Sequence, residues 1–470
     1  MSWAGIGQIV SHAAALALLV ALAGGLSGCQ AAPPLAPGAS VEASSDAQPK
    51  PSQAVRLTAD DGAPYDWFGY SVSLSGDTLV IGAHQAAVGG NWNQGTAYVF
   101  TCNQGGADAW GQVAKLIASD GAADNGFGYA VSVSGDTLVI GAYGAAVGGH
   151  GAQGAAYVFY RNQGGADAWG QVARLIASDG TPLDRFGWSV SISGDTAVVG
   201  APYADVGDHP AQGAAYVFSR NRNGPHAWGQ VTRLIAPDGA ADDWFGASVS
   251  VSGDLIVVSA HGATIAGSGD QGAAYVFSRN QGGADAWGQV AKLTAADGAA
   301  LDWFSWSVSA SGDTVVAGAP YAAAGGHTAQ GAAYVFSRNQ GGADAWGQVA
   351  KLTAEDGAAH DFLGISTALS GGMAIVGAHG AAAGGRDWQG AAYVFYRNQG
   401  GADAWGQVTR LVAADGGALD RFGWSASASG DTAALGVPYA DVAGRSAQGA
   451  AYLFTRDPGG AEAWGMASGG

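Results

Sequence analysis

The stretch FGYAVSVSGDTLVIGA (127–142), followed by AAYVFYR (155–161) and WGQVARLIA (169–177), decides the architecture of this chain. Phe127 to Ser134 alternates large apolar with small residues, the period-2 pattern of a β-strand. Ser134-Gly135-Asp136 makes a tight turn into a second strand, Thr137 to Ala142, rich in residues that β structure favours. A longer loop leads to a third strand at 155–161, and the turn NQGGAD (162–167) leads to a fourth at 169–177. Read by strict alternation, the fourth strand puts Trp169, Gln171, Ala173 and Leu175 on one face and Val172, Arg174 and Ile176 on the other. Both faces are mostly apolar, so such a four-stranded antiparallel sheet has to be covered on both sides.

Working outward, the same pattern recurs at a fixed step of 59 residues. Trp110, Trp169, Trp228, Trp287, Trp346, Trp405 and Trp464 keep the step, as do the Gln-Gly pairs beginning at Gln94, Gln153, Gln212, Gln271, Gln330, Gln389 and Gln448. Repeats of this length are supersecondary units that need their neighbours to bury an apolar face. Seven two-faced sheets satisfy that need by packing around an axis, which predicts an all-β, seven-bladed β-propeller of four-stranded antiparallel blades. Trp464 opens a last fourth strand that has no Lys/Arg-Leu after it, whereas Gln53 to Ala59 has the sequence of that missing strand. The expectation is that this N-terminal strand completes the last blade and joins the ends of the ring.

Eighty glycines and only 12 % charged residues suit short strands and tight turns. A net charge of −18 argues against nucleic acid, which needs clustered Lys and Arg. Residues 1–28 read as a signal peptide, with the apolar run AAALALLVALAGGL at 13–26. Leu26-Ser-Gly-Cys29 resembles the lipobox of bacterial lipoproteins, which implies lipidation of Cys29; the usual basic residues before the apolar run are missing. Residues 29–52, rich in Pro, Ala and Ser, are expected to form a disordered tether, and residues 53–470 the propeller. Cys102 stands where later repeats have Arg161, Arg220 and Arg279, and with Cys29 acylated it is expected to be unpaired.

Each unit pairs a Phe-Gly start with a Gly-Ala end, as in Phe186-Gly187 with Gly200-Ala201-Pro202, or Phe304-Ser305 with Gly318-Ala319-Pro320. With the recurring LTA-x-DGA, SGDT and AAYVF elements, this resembles the FG-GAP repeat of integrin α-chain propellers and of its bacterial subgroup. The resemblance implies a seven-bladed propeller acting outside the cytoplasm in adhesion or ligand binding. The family's calcium loop does not carry over, because here the interval holds only Ser-Gly-Asp, and Gly372 replaces that Asp in the sixth unit. A different acidic pattern recurs, D-G-x-x-x-[DN], with Asp61 and Asp66, Asp179 and Asp184, and Asp238 and Asp243 as its clearest pairs. Turn-capping carboxylates are the expected role; a calcium loop completed by backbone carbonyls is the alternative. No other cofactor is implied.

The loop between the second and third strands changes freely at constant length, from HQAAVGGNWNQG (84–95) to PYADVGDHPAQG (202–213) to HGAAAGGRDWQG (379–390). That loop and the crossing to the next blade share one end of the ring, which is the expected binding face. On it, Trp67, Trp92, Trp244, Trp303 and Trp388 are candidate contact surfaces, with Arg185 and Arg421 adding charge. Tyr70, Tyr129, Trp188, Trp306 and Trp424, in line with Val and Leu of the first strand, are expected to be inter-blade core. His84, His261 and His379 share one place in three blades, too scattered to converge on one reaction centre. The sequence therefore points to a monomeric, membrane-anchored, non-catalytic propeller recognising a protein or glycan. A polysaccharide-cleaving enzyme and a structural envelope component are the alternatives.

Overall fold

The computed structural model describes residues 55–104, 109–222, 224, 226–281, 283–399, 401–456 and 464. The expected signal peptide (1–28), the lipidated Cys29 and the tether (29–52) lie outside the described residues. All secondary elements among the described residues are strands, and they form seven four-stranded antiparallel sheets. In the first blade the strands are Ser71–Ser75, Thr78–Ala83, Thr96–Thr101 and Gly111–Leu116, hydrogen-bonded in that order. The first strands pack on one another in sequence and the last of them, Ser425–Ser429, packs back on Ser71–Ser75. The sheets thus close into a seven-bladed β-propeller with the first strands around its axis.

Two short-range contacts fix the spacing of the blades near that axis. A Cβ on Gly82 would lie 1.9 Å from the carbonyl oxygen of Gly128 in the next blade, and one on Gly128, whose φ is 89°, would lie 2.2 Å from the carbonyl of Thr96. The Gly-Ala end of one blade and the Phe-Gly start of the next are therefore two halves of one contact that no side chain can enter. Beside it, the backbone N–H of Val133 donates to Ser73 Oγ (3.0 Å) and that of Gly135 to Ser75 Oγ (3.3 Å). The same pair of bonds recurs around the ring and returns from the seventh blade to the first, where Leu74 N–H donates to Ser427 Oγ and Gly76 N–H to Ser429 Oγ. At the sixth blade Ala368 stands in place of the first of these serines.

The core lies between blades. Each cluster of buried side chains draws on two neighbours; one joins Val80 and Val99 of the first blade to Phe127, Val131 and Ile140 of the second. Phe68 and its counterparts are fully buried, with Phe68 meeting Tyr98 edge-on at a ring separation of 5.5 Å.

The seventh sheet consists of Ser425–Ser429, Thr432–Val437, Ala450–Thr455 and, as its outer strand, Val55–Leu57. Val55 pairs with Leu453 and Leu57 with Ala451, and Leu57 joins the cluster between the seventh and first blades. Two sequence expectations are corrected. Alternation in the fourth strand breaks, because the register shifts between Val158 and Phe159 so that Gln171 and Ala173 pair with successive residues while Val172 bulges outward, 37 % exposed. Cys102 is buried and disulfide-bonded, not an unpaired thiol.

Closure by the N-terminal strand makes a direct prediction. Deleting residues 53–59 exposes the edge of Ala450–Thr455 and is expected to lower the melting temperature and promote aggregation. The milder Leu57→Ala is expected to cost about 2–4 kcal/mol; an unchanged denaturation midpoint in both variants contradicts closure.

Candidate functional site

Every first strand begins at the same end of the ring, so one residue near its start, repeated at a step of 59, reaches the axis seven times. These residues are Tyr70, Tyr129, Trp188, Ala247, Trp306, Ile365 and Trp424, and all of them line one cavity of about 400 Å³ at the mouth of the central channel. They are half-buried rather than sealed between blades, which corrects the expectation that the aromatic members are inter-blade core. The inter-blade core is filled instead by Phe68, Phe127 and the corresponding residues one step closer to the Gly contact.

Around this mouth the aromatic rings touch in near-continuous succession. Trp67 stacks on Tyr70 at 6.1 Å and 12°, and Trp303 stacks on Trp306 at 5.2 Å and 10°. Tyr70 meets Tyr129 at 5.0 Å and Trp424 at 5.5 Å, and Tyr129 meets Trp188 at 4.7 Å. Trp244 stands edge-on to Trp303 at 6.4 Å, and Trp388 lies 5.6 Å from Phe362. Two guanidinium groups cover this layer. Arg185 sits over Tyr143 (5.2 Å) and Tyr203 (5.6 Å), and Arg421 over Tyr439 (4.9 Å), Trp388 (5.2 Å) and Trp424 (5.7 Å). Of the residues singled out by sequence, Trp67, Trp244, Trp303, Trp388, Arg185 and Arg421 come together in this layer. Trp92 does not; it stands out on its loop, 76 % exposed.

His84, His261 and His379 are each enclosed in a different part of the same layer. His84 packs on Trp67, Tyr70 and Tyr129, His261 on Trp244, Trp303 and Trp306, and His379 on Phe362, Trp388 and Trp424. Burial holds their pKa values down to about 3, 4 and 3, with Arg421 adding to the effect at His379. They are neutral imidazoles that extend the aromatic lining.

The acidic loops have other partners. Asp61 accepts from the Tyr98 hydroxyl (2.9 Å) and from Lys115 Nζ (2.5 Å), while Asp66 caps its turn by accepting from Ala63 N–H (2.8 Å). Asp238 repeats this with Tyr275 and Lys292, and Asp243 with Ala240 N–H. Asp179 pairs with Arg233, and Asp184 accepts from both the backbone and hydroxyl of Thr181. Partial burial pushes Asp61 up, but the Lys115 and Tyr98 hydrogen bonds outweigh it and the carboxyl ends below the usual range. Burial pushes Asp66 and Asp243 above it. Among the described residues there is no group of three or more His, Cys, Asp or Glu arranged for a metal. The carboxylates brace the crossing between blades.

A family model described as the FG-GAP repeat matches residues 51–100, 110–159, 169–218, 228–277, 287–336, 346–395 and 405–454. The chain belongs to the FG-GAP repeat family. No curated protein matches it by sequence. The frame of the FG-GAP match is offset from the blade by one strand: the unit beginning at Trp110 starts with the last strand of the first blade and ends with the third strand of the second. Each FG-GAP unit therefore stitches two blades together, and the unit at 51–100 stitches the seventh blade to the first. Such a propeller is a scaffold for a binding or structural role, with its aromatic mouth on the face where the repeats differ most.

The buried histidines generate a pH dependence. Their folded pKa values lie below the ordinary 6.5, so the unfolded chain takes up protons first; the stability they confer is present above pH 6.5 and lost as pH falls toward 4–3. At pH 5 the loss amounts to roughly 2 kcal/mol per histidine, from about 1.4 kcal/mol per pH unit. Asp66 and Asp243, raised by burial, act in the opposite sense, at lower pH. A melting temperature that falls between pH 7 and 5, with a shallower fall in His84→Gln/His261→Gln/His379→Gln, is the expected outcome.

Proposed function

We propose that this FG-GAP propeller is an exported, non-catalytic binding protein of the cell envelope that recognises a protein or glycan through the face bearing the axial mouth. The observation that carries this reading is the aromatic layer itself: Trp67, Trp244, Trp303 and Trp388 join the rings around the axis, and Arg185 and Arg421 lie across them. Aromatic and arginine side chains clustered at the centre of a concave surface supply most of the energy of many binding interfaces. The chemistry of the layer also favours binding over catalysis. Its histidines are neutral and walled in by rings, and the carboxylates of the blade crossings are held by Tyr, Lys, Arg and backbone partners.

Anchoring at the envelope through a lipid on Cys29 belongs to the same reading. A lipid on Cys29 requires that its sulfur be free of any disulfide. Mass spectrometry of the chain extracted from membranes tests this. A diacylglyceryl mass on Cys29 supports the anchor; a Cys102 that alkylates only after reduction, with no lipid mass, indicates a released protein.

An array of cell-surface glycans and proteins probed with the purified chain is expected to yield at least one retained ligand. Trp303→Ala and Arg421→Ala are each expected to weaken that binding by about tenfold or more. Retention of nothing on the array contradicts the binding role.

A further inference from the structure

Six blades bring a bulky side chain to the axial mouth, and the fourth brings Ala247. The ring of side chains thus has one place left open. The same cavity is lined by Trp188 and Tyr203 from the third blade, by Trp244, Ser248 and His261 of the fourth, and by Trp303 and Trp306 from the fifth.

Departures from the repeat gather at this same junction. Elsewhere a Gly of one blade faces a Gly of the next, but here Ser259 holds the place of the first and Ser305 that of the second, both fully buried. Ser305 keeps the left-handed backbone of the glycine it replaces, with φ 70°, and its hydroxyl donates to the carbonyl of Ala273 (2.6 Å). Ser259 Oγ accepts from Ser248 N–H (2.7 Å). The altered contact leaves a trace on Ser248. Its counterparts Ser71, Ser189, Ser307, Ser366 and Ser425 donate their hydroxyls to the carbonyl of the Phe-Gly (or Leu-Gly) glycine of the next blade. Ser248 Oγ instead accepts from Val308 N–H (3.1 Å), and among the described residues its own O–H has no acceptor.

We propose that the open place over Ala247 is a socket for one neutral sugar ring of a glycan, seated between the third-blade and fifth-blade rings and accepting a hydrogen bond from the Ser248 hydroxyl. This rests on the binding role above and names its ligand class and its site. A pyranose has an apolar C–H face suited to aromatic walls and a hydroxyl edge suited to Ser248. The mouth as a whole, lined from all seven blades, holds about 400 Å³, the small end of ligand sites, so that one ring is what it has room for. Its lining includes no carboxylate, ammonium or guanidinium, so a charged group seated there would lose its hydration without a partner. A cation would also face Arg185 and Arg421, which already hold the outer faces of Tyr203 and Trp424. An aromatic side chain of a protein partner would match the walls but would bury the Ser248 hydroxyl unpaired.

The test titrates the purified chain with neutral methyl glycosides of glucose, galactose, mannose and N-acetylglucosamine, read by tryptophan fluorescence and saturation-transfer NMR. At least one is expected to bind with a roughly millimolar Kd. Ser248→Ala is expected to weaken it about five- to tenfold. Ala247→Tyr, which supplies the missing ring from within, is expected to abolish binding while leaving the melting temperature unchanged or higher. Sugar binding that survives in folded Ala247→Tyr, or that Ser248→Ala leaves untouched, overturns the socket. So does the absence of glycoside binding when the array retains a protein whose affinity Ala247→Tyr does not change; in that case the binding role stands. If neither glycosides nor array ligands are retained, both readings fall.

Discussion

The approach of one backbone to the next, where Gly82 abuts the Gly128 carbonyl and its repeats do likewise, is the constraint on which the ring depends. The contact admits no Cβ, and the adjacent serine hydroxyls accept from the neighbour's backbone N–H groups at the same radius. Together they hold the inner strands at a separation set by hydrogen-bond and van der Waals distances rather than by adaptable side chains. The larger residues further out, such as Phe127 and Ile140, then fill the widening space between sheets. A wedge with a rigid thin edge and a packed thick edge repeats into a closed circle.

At the outer rim a second device holds the same neighbours. An aspartate in each crossing pairs with a Lys or Arg, and Asp61, Asp238, Asp356 and Asp415 also receive a Tyr hydroxyl, as Asp61 does from Tyr98 beside Lys115. These pairs are partly exposed, so each contributes modestly. Their value lies in number and in placement, since they orient the crossings that carry Trp67, Arg185 and their counterparts to the mouth. In the seventh blade the N-terminal strand supplies the equivalent partner, Arg56, to Asp415 at 2.7 Å.

Blade number, strand order and closure were all legible in the sequence, because a repeat without helical periodicity leaves few ways to bury two apolar faces. The candidate site was legible only in part. Trp67, Trp244, Trp303, Arg185 and Arg421 stood out because they vary at one place in an otherwise constant unit. Tyr70, Trp188 and Trp306 did not, because alternation along a strand tells inward from outward only for a sheet with one wet face. In a propeller the beginning of the innermost strand faces the axis, and that follows from blade order, not from polarity. The bulge at Val172 was hidden for a related reason: an extra residue in a strand keeps the local composition and changes only the pairing. Ala247 was the least conspicuous of all, since a small residue in a list of large ones draws attention only when the seven are seen to meet.

Arg56 and Asp415 are 359 positions apart along the chain, yet they sit side by side in the finished ring. Among the described strands, the first to emerge during synthesis is therefore the last to find its sheet. Until Ala450–Thr455 exists, Val55–Leu57 has no partner, and the first blade offers an uncovered apolar flank on the side that the seventh will occupy. Neighbouring blades can assemble locally as they are made, but the closing step carries the longest loop in the molecule and its full entropic cost. Ring closure is thus expected to be the slow event in maturation, and a chain stalled before it is the form most exposed to chaperones and proteases.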